Sequence, residues 1–386
     1  MQTRSLFPLS LILLIFSFVG CSTSKDQLTL HIQNPGSVDR QNEMVEVAWK
    51  DIRQKLSLTE NQAIVVTDSS GKQIPCQLIK NGSDEVETLL FPVSLAAGQT
   101  ASFQISTGVA EPVQTMVYGR LVPERKDDFA WENNRTAFRV YGPALKATGE
   151  ISNGMDFWAK RTDSLVIDKW YKNDLSGLAS YHEDHGEGVD FYKVGRTLGL
   201  GMTAPVDNDT LCLGHNFVTA EILDNGPLRL TFKLTYDPYM AGGHEIRETR
   251  IISLDAYSYF NKVTNIFETD TTELTVATGI VMPEENPEAN AATTFGDNTG
   301  IIAYETPANE VNGTIYNAAI NPNGFGIIKV SGGHYLGLNS YQPGSRYTYY
   351  VGGGWSKAGF NSFEDWTQFV KSEKEKIDQP LIIQIK

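Results

Sequence analysis

Short stretches in which apolar and polar residues alternate recur along most of the chain. Alternation of this kind is typical of β-strands that bury one face. In the first third the stretches are brief and are separated by turn sequences such as Asp68-Ser-Ser-Gly71. They comprise residues 28–33, 43–49, 63–67, 73–79, 87–93 and 100–105. This spacing predicts a small β-sandwich over residues 27–113, which we interpret as an accessory module.

Residues 114–386 carry a second series of alternating stretches and predict a larger β domain. The stretches are residues 137–141, 228–236, 246–253, 257–267, 274–281, 300–304 and 324–330. Helical periodicity is almost absent before Ser362, which can cap a helix that has Trp366, Phe369 and Val370 on one face. A last strand is predicted at residues 381–385. The predicted fold class is therefore all-β: a small sandwich followed by a large two-sheet sandwich with few helices.

The first 21 residues have the character of a targeting segment. Arg4 precedes an apolar run that ends at Gly20-Cys21. The run is too short to span a membrane, and a cysteine after a small residue is typical of a bacterial lipoprotein cleavage site. The sequence predicts a lipidated Cys21 and an envelope location, as an outer-membrane lipoprotein that faces the periplasm or the cell surface. The membrane is then a partner only through the lipid.

Charge and cysteine content narrow the classes of function. The formal net charge of the 386 residues is −14, and an acidic chain lacks the basic clusters that nucleic-acid binding needs. Three cysteines cannot form a four-thiolate zinc site. After loss of Cys21 to the lipid, we expect Cys76 and Cys212 to be buried and unpaired.

The segment Tyr181-His-Glu-Asp-His-Gly-Glu-Gly-Val-Asp-Phe-Tyr192 holds the densest group of ionisable residues. Its glycines predict a loop. Three interpretations remain open: a solvated acidic loop, a divalent-metal site at His182 and His185, or a catalytic or sugar-binding loop. No cofactor is otherwise indicated, because the metalloprotease pattern and its helix are missing. Histidine titrates near neutral pH, which favours His182 or His185 as a catalytic base.

Two further segments carry candidate residues. His244-Glu-Ile-Arg-Glu-Thr-Arg250 places His244, Glu248 and Arg250 on one face of a strand, either as a structural ion pair or as the floor of a cleft. Residues 128–142 and 352–357 combine aromatic, amide and basic side chains that could stack on sugars or bond to their hydroxyls. The substrate-binding candidates are Trp131, Asn133, Arg139, Glu187, Asp190 and Trp355.

Three stretches together resemble a known family. They are residues 128–142, residues 181–199 with Val194-Gly-Arg-Thr-Leu-Gly199, and the closing Gly354-Trp-Ser-Lys357 loop with its helix. They are similar to secreted β-rich proteins of polysaccharide-utilisation gene clusters, which carry the name domain of unknown function 4861. The resemblance implies breakdown of saccharides, often uronate-rich ones, without a residue-level mechanism. The pattern is also similar, as an analogy of fold only, to the supersandwich of mutarotases and polysaccharide-lyase domains.

Three functions are compatible with these residues. The first is an enzyme that acts on acidic, uronate-containing oligosaccharides by β-elimination, as a dehydratase or lyase. Arg250 or Arg139 would bind the carboxylate, His182 or His185 would be the base, and Tyr192 or His244 the acid. The second is a glycoside hydrolase that uses Glu187 with Asp190 or Glu248. The third is a glycan-binding lipoprotein without activity. Serine-hydrolase and dinucleotide motifs are absent.

Overall fold

The computed structural model describes residues 27–56, 58, 62–283, 294–297 and 299–386. Strands make up about 48% and helices 11% of the chain, so the prediction of an all-β protein is confirmed. The predicted signal segment 1–21 and Cys21 lie outside the described residues. Within the described ranges no helix combines the length and apolarity that a membrane-spanning helix needs.

The strands and helices are numbered in chain order. The N-terminal strands are β1 (Gln27–Gln33), β2 (Arg40–Ala48), β3 (Ile64–Asp68), β4 (Gln73–Ile74), β5 (Gln77–Ile79), β6 (Thr88–Leu95) and β7 (Thr100–Thr107). Next come β8 (Val117–Val122), β9 (Asp128–Asn133), β10 (Ala137–Val140), β11 (Asp156–Lys160), β12 (Gly188–Val189), β13 (Thr203–Asp207), β14 (Thr210–Leu211), β15 (Phe217–Asn225), β16 (Arg229–Tyr236), β17 (Tyr239–Ala241) and β18 (His244–Asp255). The last are β19 (Phe260–Glu268), β20 (Leu274–Val281), β21 (Thr294–Asp297), β22 (Ile301–Glu305), β23 (Ile315–Ile320), β24 (Ile327–Ser331), β25 (His334–Tyr341), β26 (Tyr347–Trp355) and β27 (Ile382–Ile385). The helices are α1 (Trp49–Lys55), α2 (Pro143–Lys146), α3 (Ile167–Leu175) and α4 (Phe363–Asp378).

The N-terminal part is a two-sheet sandwich. One sheet has the strand order β27-β1-β7-β3-β4 and the other has the order β2-β6-β5. Alternate residues of β1, such as Leu28, Leu30 and Ile32, are buried between them because period-two burial places every second side chain in the core. The last strand of the chain therefore pairs with the first, and it lies in this sandwich rather than in the large domain to which its position in the sequence assigned it.

A large sheet forms the middle layer of the molecule. Its order is β15-β16-β18-β19-β26-β23-β22-β21, and β17 pairs with β18. One face packs on two smaller sheets, β12-β11-β10-β9-β8 and β14-β13-β20-β25-β24, through a shared apolar core. The opposite face packs against α4, whose Trp366 and Val370 are fully buried. We call the large sheet the central sheet. The sheet β12-β11-β10-β9-β8 is called the 8–12 sheet, and the sheet β14-β13-β20-β25-β24 is called the 13–25 sheet, after their strand numbers.

Three of the helices depart from the sequence-based expectation. The predicted α4 is present, and Ser362 Oγ accepts the N–H of Asp365 as expected for its cap. The short α1, α2 and α3 were not predicted. In α3, Glu132 on distant β9 accepts the main-chain N–H groups of Val166 and Ile167 at 2.6 and 2.8 Å. The first N–H groups of this nine-residue helix are bonded by a residue outside the helix. Its own sequence therefore contains little that predicts a helix.

The two cysteines of the described residues are not joined. Cys76 and Cys212 are both free and only partly buried, so they are unpaired as predicted but less buried than expected. Burial raises the pKa of each thiol, which lowers its reactivity at neutral pH.

Candidate functional site

A row of charged side chains crosses one face of the 8–12 sheet. Its members are Asp128 on β9, Arg139 on β10, Asp156 on β11 and Asp190 directly after β12. All four are buried, and the side chain of Arg139 is 5% exposed. Adjacent strands bring these residues side by side, although they are spread over 63 positions of sequence. We call these four residues the carboxylate row.

Arg139 holds the row together. Its Nη2 donates to Asp156 Oδ2 at 2.5 Å and to Asp190 Oδ2 at 2.9 Å, and its Nε donates to Asp156 Oδ2 at 2.9 Å. Its Nη1 lies 3.9 Å from Asp128 Oδ2 and donates to the hydroxyl of Tyr181 at 3.3 Å. Three carboxyl groups thus surround one guanidinium, so the row carries more acid than this cation can neutralise.

The excess of acid shifts the titration of two carboxyl groups. Burial is the main cause that raises the pKa of Asp128 to about 6, with Arg139 acting in the opposite direction. Burial, followed by repulsion from Asp156, raises the pKa of Asp190 well above its usual value. Since like charges in a dry site cannot all ionise, the row retains protons at a pH where free aspartates have lost theirs.

Two side chains connect the row to solvent. Tyr141, which follows β10, is half-buried and donates its hydroxyl to Asp156 Oδ2 at 3.2 Å. His182 is 57% exposed, and its Nδ1 lies 2.9 Å from the main-chain oxygen of Asp190 and 3.6 Å from Asp190 Oδ2. An exposed imidazole and a half-buried phenol therefore adjoin the row, each next to a different aspartate.

Aromatic rings and a helix seal the remaining side of the row. Trp158, Tyr171 and Tyr181 pack on one another between the sheet and α3. The Arg139 guanidinium lies 5.2 Å from the ring centroid of Trp158, an arrangement that favours the cation. The seal keeps water from the row, which strengthens its electrostatic interactions.

Residues of the Tyr181–Tyr192 loop line a small cavity beside the row. His185, Glu183, Glu187 and Trp170 line it, and its volume is about 60 Å³. Glu187 is held by Lys169 at 2.7 Å, and the lysine lowers the pKa of its carboxyl. His185 Nε2 lies 3.0 Å from the main-chain oxygen of Ser180. The cavity is too small for a sugar ring, so these residues flank the site rather than form its binding surface.

Arg250, the predicted carboxylate-binding residue, is placed differently. It is fully buried between the central sheet and the 13–25 sheet. Its Nε donates to Glu248 at 2.5 Å, and its two Nη atoms donate to Asn153 at 2.9 and 2.7 Å. Because each nitrogen of the guanidinium is bonded within the core, Arg250 and Glu248 form the structural ion pair that was one of the two interpretations. Neither can meet a substrate.

The two predicted acids have hydrogen-bond partners outside the row, although the charge of Asp156 adds to the effect of burial on the pKa of Tyr192. Tyr192 is buried, accepts a long bond of 3.4 Å from Asn317 Nδ2, and has a pKa well above its usual value because of burial. His244 lies at the start of β18, where its Nδ1 is 2.7 Å from the exposed Asp270. Neither residue has a hydrogen bond or ion pair to a member of the carboxylate row among the described contacts.

Three predicted sugar-binding residues have structural roles. Trp131 is fully buried and donates to Asn261 at 2.8 Å. Asn133 fixes the β9–β10 turn by accepting from Thr136 N and by donating to the Asp255 and Ser258 carbonyls. Trp355 is 1% exposed and donates to the Asn312 carbonyl. Of the predicted residues, the structure therefore brings together Arg139, Asp190 and His182, with His185 and Glu187 beside them.

The metal interpretation has no support in the geometry. Among the described residues no three histidine, cysteine or acidic side chains are arranged to hold a metal ion. His182 Nδ1 and His185 Nε2 each lie against a different main-chain oxygen.

Asp128, Tyr141 and Asp156 belong to the site but were not among the residues predicted from the sequence. A signal was present: Asp156, Trp158 and Lys160 alternate with apolar residues on β11, although the strand is buried on both faces. Lys160 forms a second buried ion pair with Glu132 at 2.6 Å. Charged residues on both β10 and β11 at buried positions require partners, which indicates a paired network.

Comparisons with known proteins agree with this architecture. The fold and the site together define the class of protein: it is all-β, with a large central sheet and a buried carboxylate row. The chain belongs to the family described as "Domain of unknown function (DUF4861)", whose model matches residues 32–383. It is 28% identical over 393 residues to "Uncharacterized protein P7" of Formosa agariphila, and the match covers 96% of each chain.

Solved structures were compared with this fold as well. An α-mannosidase from Enterococcus faecalis V583 matches 94% of this chain with a TM-score of 0.50 and 9% identity. A glycosyl hydrolase family 38 protein from Enterococcus faecalis also matches 94%, with a TM-score of 0.47 and 9% identity. The chain spans 46% and 48% of those two structures, about half of each. At this identity the first likeness shows a common fold alone.

Proposed function

We propose that this protein is a carbohydrate-active enzyme that uses His182 as general base and Tyr141 as general acid. One observation carries the proposal: two titratable side chains next to the carboxylate row, the exposed His182 and the half-buried Tyr141, each contact a different aspartate held by Arg139. Two groups of opposite proton role anchored to one buried network are the arrangement that acid–base catalysis requires.

The hydrogen bonds of His182 define where its proton lies. A main-chain oxygen can only accept, so Nδ1 carries the hydrogen that is donated to Asp190 O. In the neutral ring, Nε2 then has the free lone pair, and 57% of the side chain is exposed. The Asp190 backbone therefore orients the imidazole as a base toward solvent.

Tyr141 has the properties of an acid. Burial, followed by the negative charge of Asp156, raises its pKa well above the usual value, so the phenol is protonated at neutral pH. Its O–H donates to Asp156 in the free protein. Rotation about the C–O bond can redirect that proton to an oxygen that leaves a substrate.

This pair fits β-elimination from a uronic-acid oligosaccharide. His182 Nε2 would take the proton from the carbon next to the carboxylate, a carbon–carbon double bond would form, and the oxygen on the β carbon would leave with the Tyr141 proton. Negative charge then develops on the carboxylate and needs a cation. Arg125 is the further cation next to the row: its Nε donates to Tyr181, and its Nη1 is buried and has no hydrogen-bond partner among the described residues, so a substrate carboxylate would reach it only after a side-chain movement. It replaces Arg250 in the proposed role.

Glycosidic-bond hydrolysis is the second candidate. It is favoured by the fold shared with the α-mannosidase and by an acid, Asp128, whose pKa is raised to about 6. The predicted carboxylate pairs do not favour it. Asp190 is 1% exposed and bound to Arg139, Glu248 is in the core, and Glu187 is engaged by Lys169. A hydrolase normally needs two accessible carboxyl groups on either side of the bond.

The experiment is incubation of the protein lacking residues 1–21 with a panel of uronate-containing oligosaccharides. Absorbance of unsaturated uronate and product masses would be recorded together. New absorbance with loss of one water indicates a dehydratase, and new absorbance with cleavage indicates a lyase. Cleavage with gain of water and no absorbance would overturn elimination in favour of hydrolysis. If His182→Gln retains the parent rate, the assigned base is wrong.

A further inference from the structure

A second region of the molecule has the features of a ligand site. A groove of about 750 Å³ runs between β2 of the N-terminal sandwich and the outer face of the central sheet. The C-terminal part of α4 forms a third side, and residues 257–260 close one end. The groove lies on the opposite face of the central sheet from the 8–12 sheet, and it contains none of the residues of the carboxylate row.

The acidic side chains of the groove already have cationic partners. Arg40 binds Glu43 through two contacts of 2.9 Å. Arg229 binds both Asp255, at 2.5 Å, and Glu46, at 2.6 Å. Glu373 is paired with Lys376 at 2.6 Å. Glu46 and Asp255 share one cation, so the four acids of the groove are directly bonded to three cations.

Two cations of the groove have weaker partners. Lys262 on β19 is exposed, and its charge helps to lower the pKa of Glu46. Arg135 has one long contact, 3.5 Å to Asp163, whose side chain is 80% exposed. In a chain of net charge −14, these two basic side chains are the groups of the groove with which a ligand anion can pair.

Tyrosine rings lie next to these cations. Tyr257 has a backbone φ of +68°, a conformation that is rare for an aromatic residue, and Asn134 Oδ1 holds it by accepting its N–H at 2.8 Å. Tyr350, on the strand beside Lys262, lines the same groove. The strained backbone of Tyr257 is maintained by the β9–β10 turn, which presents the ring at the end of the groove.

We propose that this groove binds an acidic oligosaccharide, with its carboxylate or sulfate groups on Lys262 and Arg135 and its sugar rings against Tyr257 and Tyr350. The volume lies within the roughly 300–1,000 Å³ of sites that bind small ligands. The anionic character of the ligand follows from these two weakly paired cations. The choice of a saccharide rests on the proposed function. The groove is then a second saccharide site, separate from the catalytic residues.

The test is calorimetric binding of trigalacturonate, a sulfated galactan oligosaccharide and neutral maltotriose to the protein lacking residues 1–21. We expect the carboxylated or the sulfated probe to bind, the neutral one to bind at least 10-fold more weakly, and binding to weaken with salt. Lys262→Ala should raise the dissociation constant about 10-fold, the usual effect of losing one charged hydrogen bond. Lys233→Ala is the matched control, because Lys233 lies on the same sheet and is paired with Glu221.

The outcomes separate this inference from the proposed function. Equal binding of neutral and acidic probes, no binding of any probe, or unchanged affinity in Lys262→Ala with normal thermal stability would overturn the groove proposal. Binding that is lost in His182→Gln but kept in Lys262→Ala would also overturn it, because it would place the ligand at the carboxylate row. Binding in the absence of turnover would leave the groove supported while the enzymatic proposal fails.

Discussion

His182 donates from Nδ1 to the main-chain oxygen of Asp190 over 2.9 Å. The bond fixes the ring to the strand end that also delivers the Asp190 carboxyl to Arg139. The imidazole is thus held by the backbone, and its other nitrogen is left to solvent. A catalytic base needs this kind of support, because loss of orientation reduces the rate even when the group is present.

The first prediction concerns His182. A glutamine at this position can still donate to Asp190 O but has no lone pair of comparable basicity. We expect His182→Gln to lower kcat by about 10²–10⁴-fold, the usual contribution of a general base. Steady-state kinetics on the oligosaccharide found by the panel would measure this. His31→Gln is the control, since His31 bonds to Ser102 in the N-terminal sandwich and should keep the parent rate.

The second prediction distinguishes Tyr141 from Tyr192 as the acid. Tyr141→Phe removes the hydroxyl that contacts Asp156 and should lower kcat by at least about 100-fold. Tyr192→Phe removes only a long bond from Asn317 and should leave kcat within about threefold of the parent. The opposite result would restore the sequence-based choice of Tyr192.

The third prediction concerns the stability that Arg139 provides. Arg139→Met leaves Asp156 and Asp190 buried without their cation, and should lower the free energy of unfolding by about 3–5 kcal/mol. Arg247→Met is the control: the Arg247–Glu245 pair is exposed, and its loss should cost under about 1 kcal/mol. Urea unfolding followed by circular dichroism would compare them. Similar midpoints for both variants would mean that the row is not a stabilising network.

The fourth prediction is a pH dependence of stability. Asp128 has a pKa of about 6 in the folded protein, against a usual value of 3.8. Between these values the folded state keeps a proton that the unfolded chain has released, so rising pH lowers the free energy of unfolding. The loss is at most about 3 kcal/mol and is complete above the folded pKa.

Asp128→Asn should flatten this slope between about pH 4 and pH 6, because the amide does not titrate. Asp84→Asn, in an exposed turn, should leave the slope unchanged. Urea midpoints at several pH values would provide the comparison. An identical slope in the parent and in Asp128→Asn would assign the pH dependence to another group.

The fifth prediction tests the pairing of the chain ends. Deletion of residues 381–386 removes β27 and exposes the edge of β1. We expect the free energy of unfolding to fall by about 2–4 kcal/mol, since three half-buried apolar side chains and a row of main-chain bonds are lost. Gln384→Ala, at an exposed position of the same strand, should have the parent's stability. Unchanged stability of the deletion would show that β27 is dispensable.

Local pattern predicted the strands far better than the site. The alternation on β18 placed Glu248, Arg250 and Ile252 on one face, as observed. It could not show that Asn153, 97 positions away, occupies the Arg250 guanidinium. The partner of a charge depends on strand order, which period-two alternation does not contain.

The same limit applies to the carboxylate row. The sequence predicts the Tyr181–Tyr192 segment as a loop and leaves open whether it is a solvated acidic loop, a metal site, or a catalytic or sugar-binding loop; in the structure His182 and Asp190 contact each other. Asp156, the other aspartate that Arg139 binds, lies on β11, which is distant in sequence from both His182 and Asp190. Only the β10–β11 register, in which Arg139 lies opposite Asp156, brings it in.

The pairing of β1 with β27 has a consequence for how the protein is made. The first sandwich cannot be completed until residue 385 has been synthesised, because its edge strand is at the other end of the chain. During synthesis, the edge of β1 stays without its β27 partner until residues 382–385 have been made. An open strand edge is a template for wrong association, so this long-range contact leaves the newly made chain open to mispairing until β27 is available.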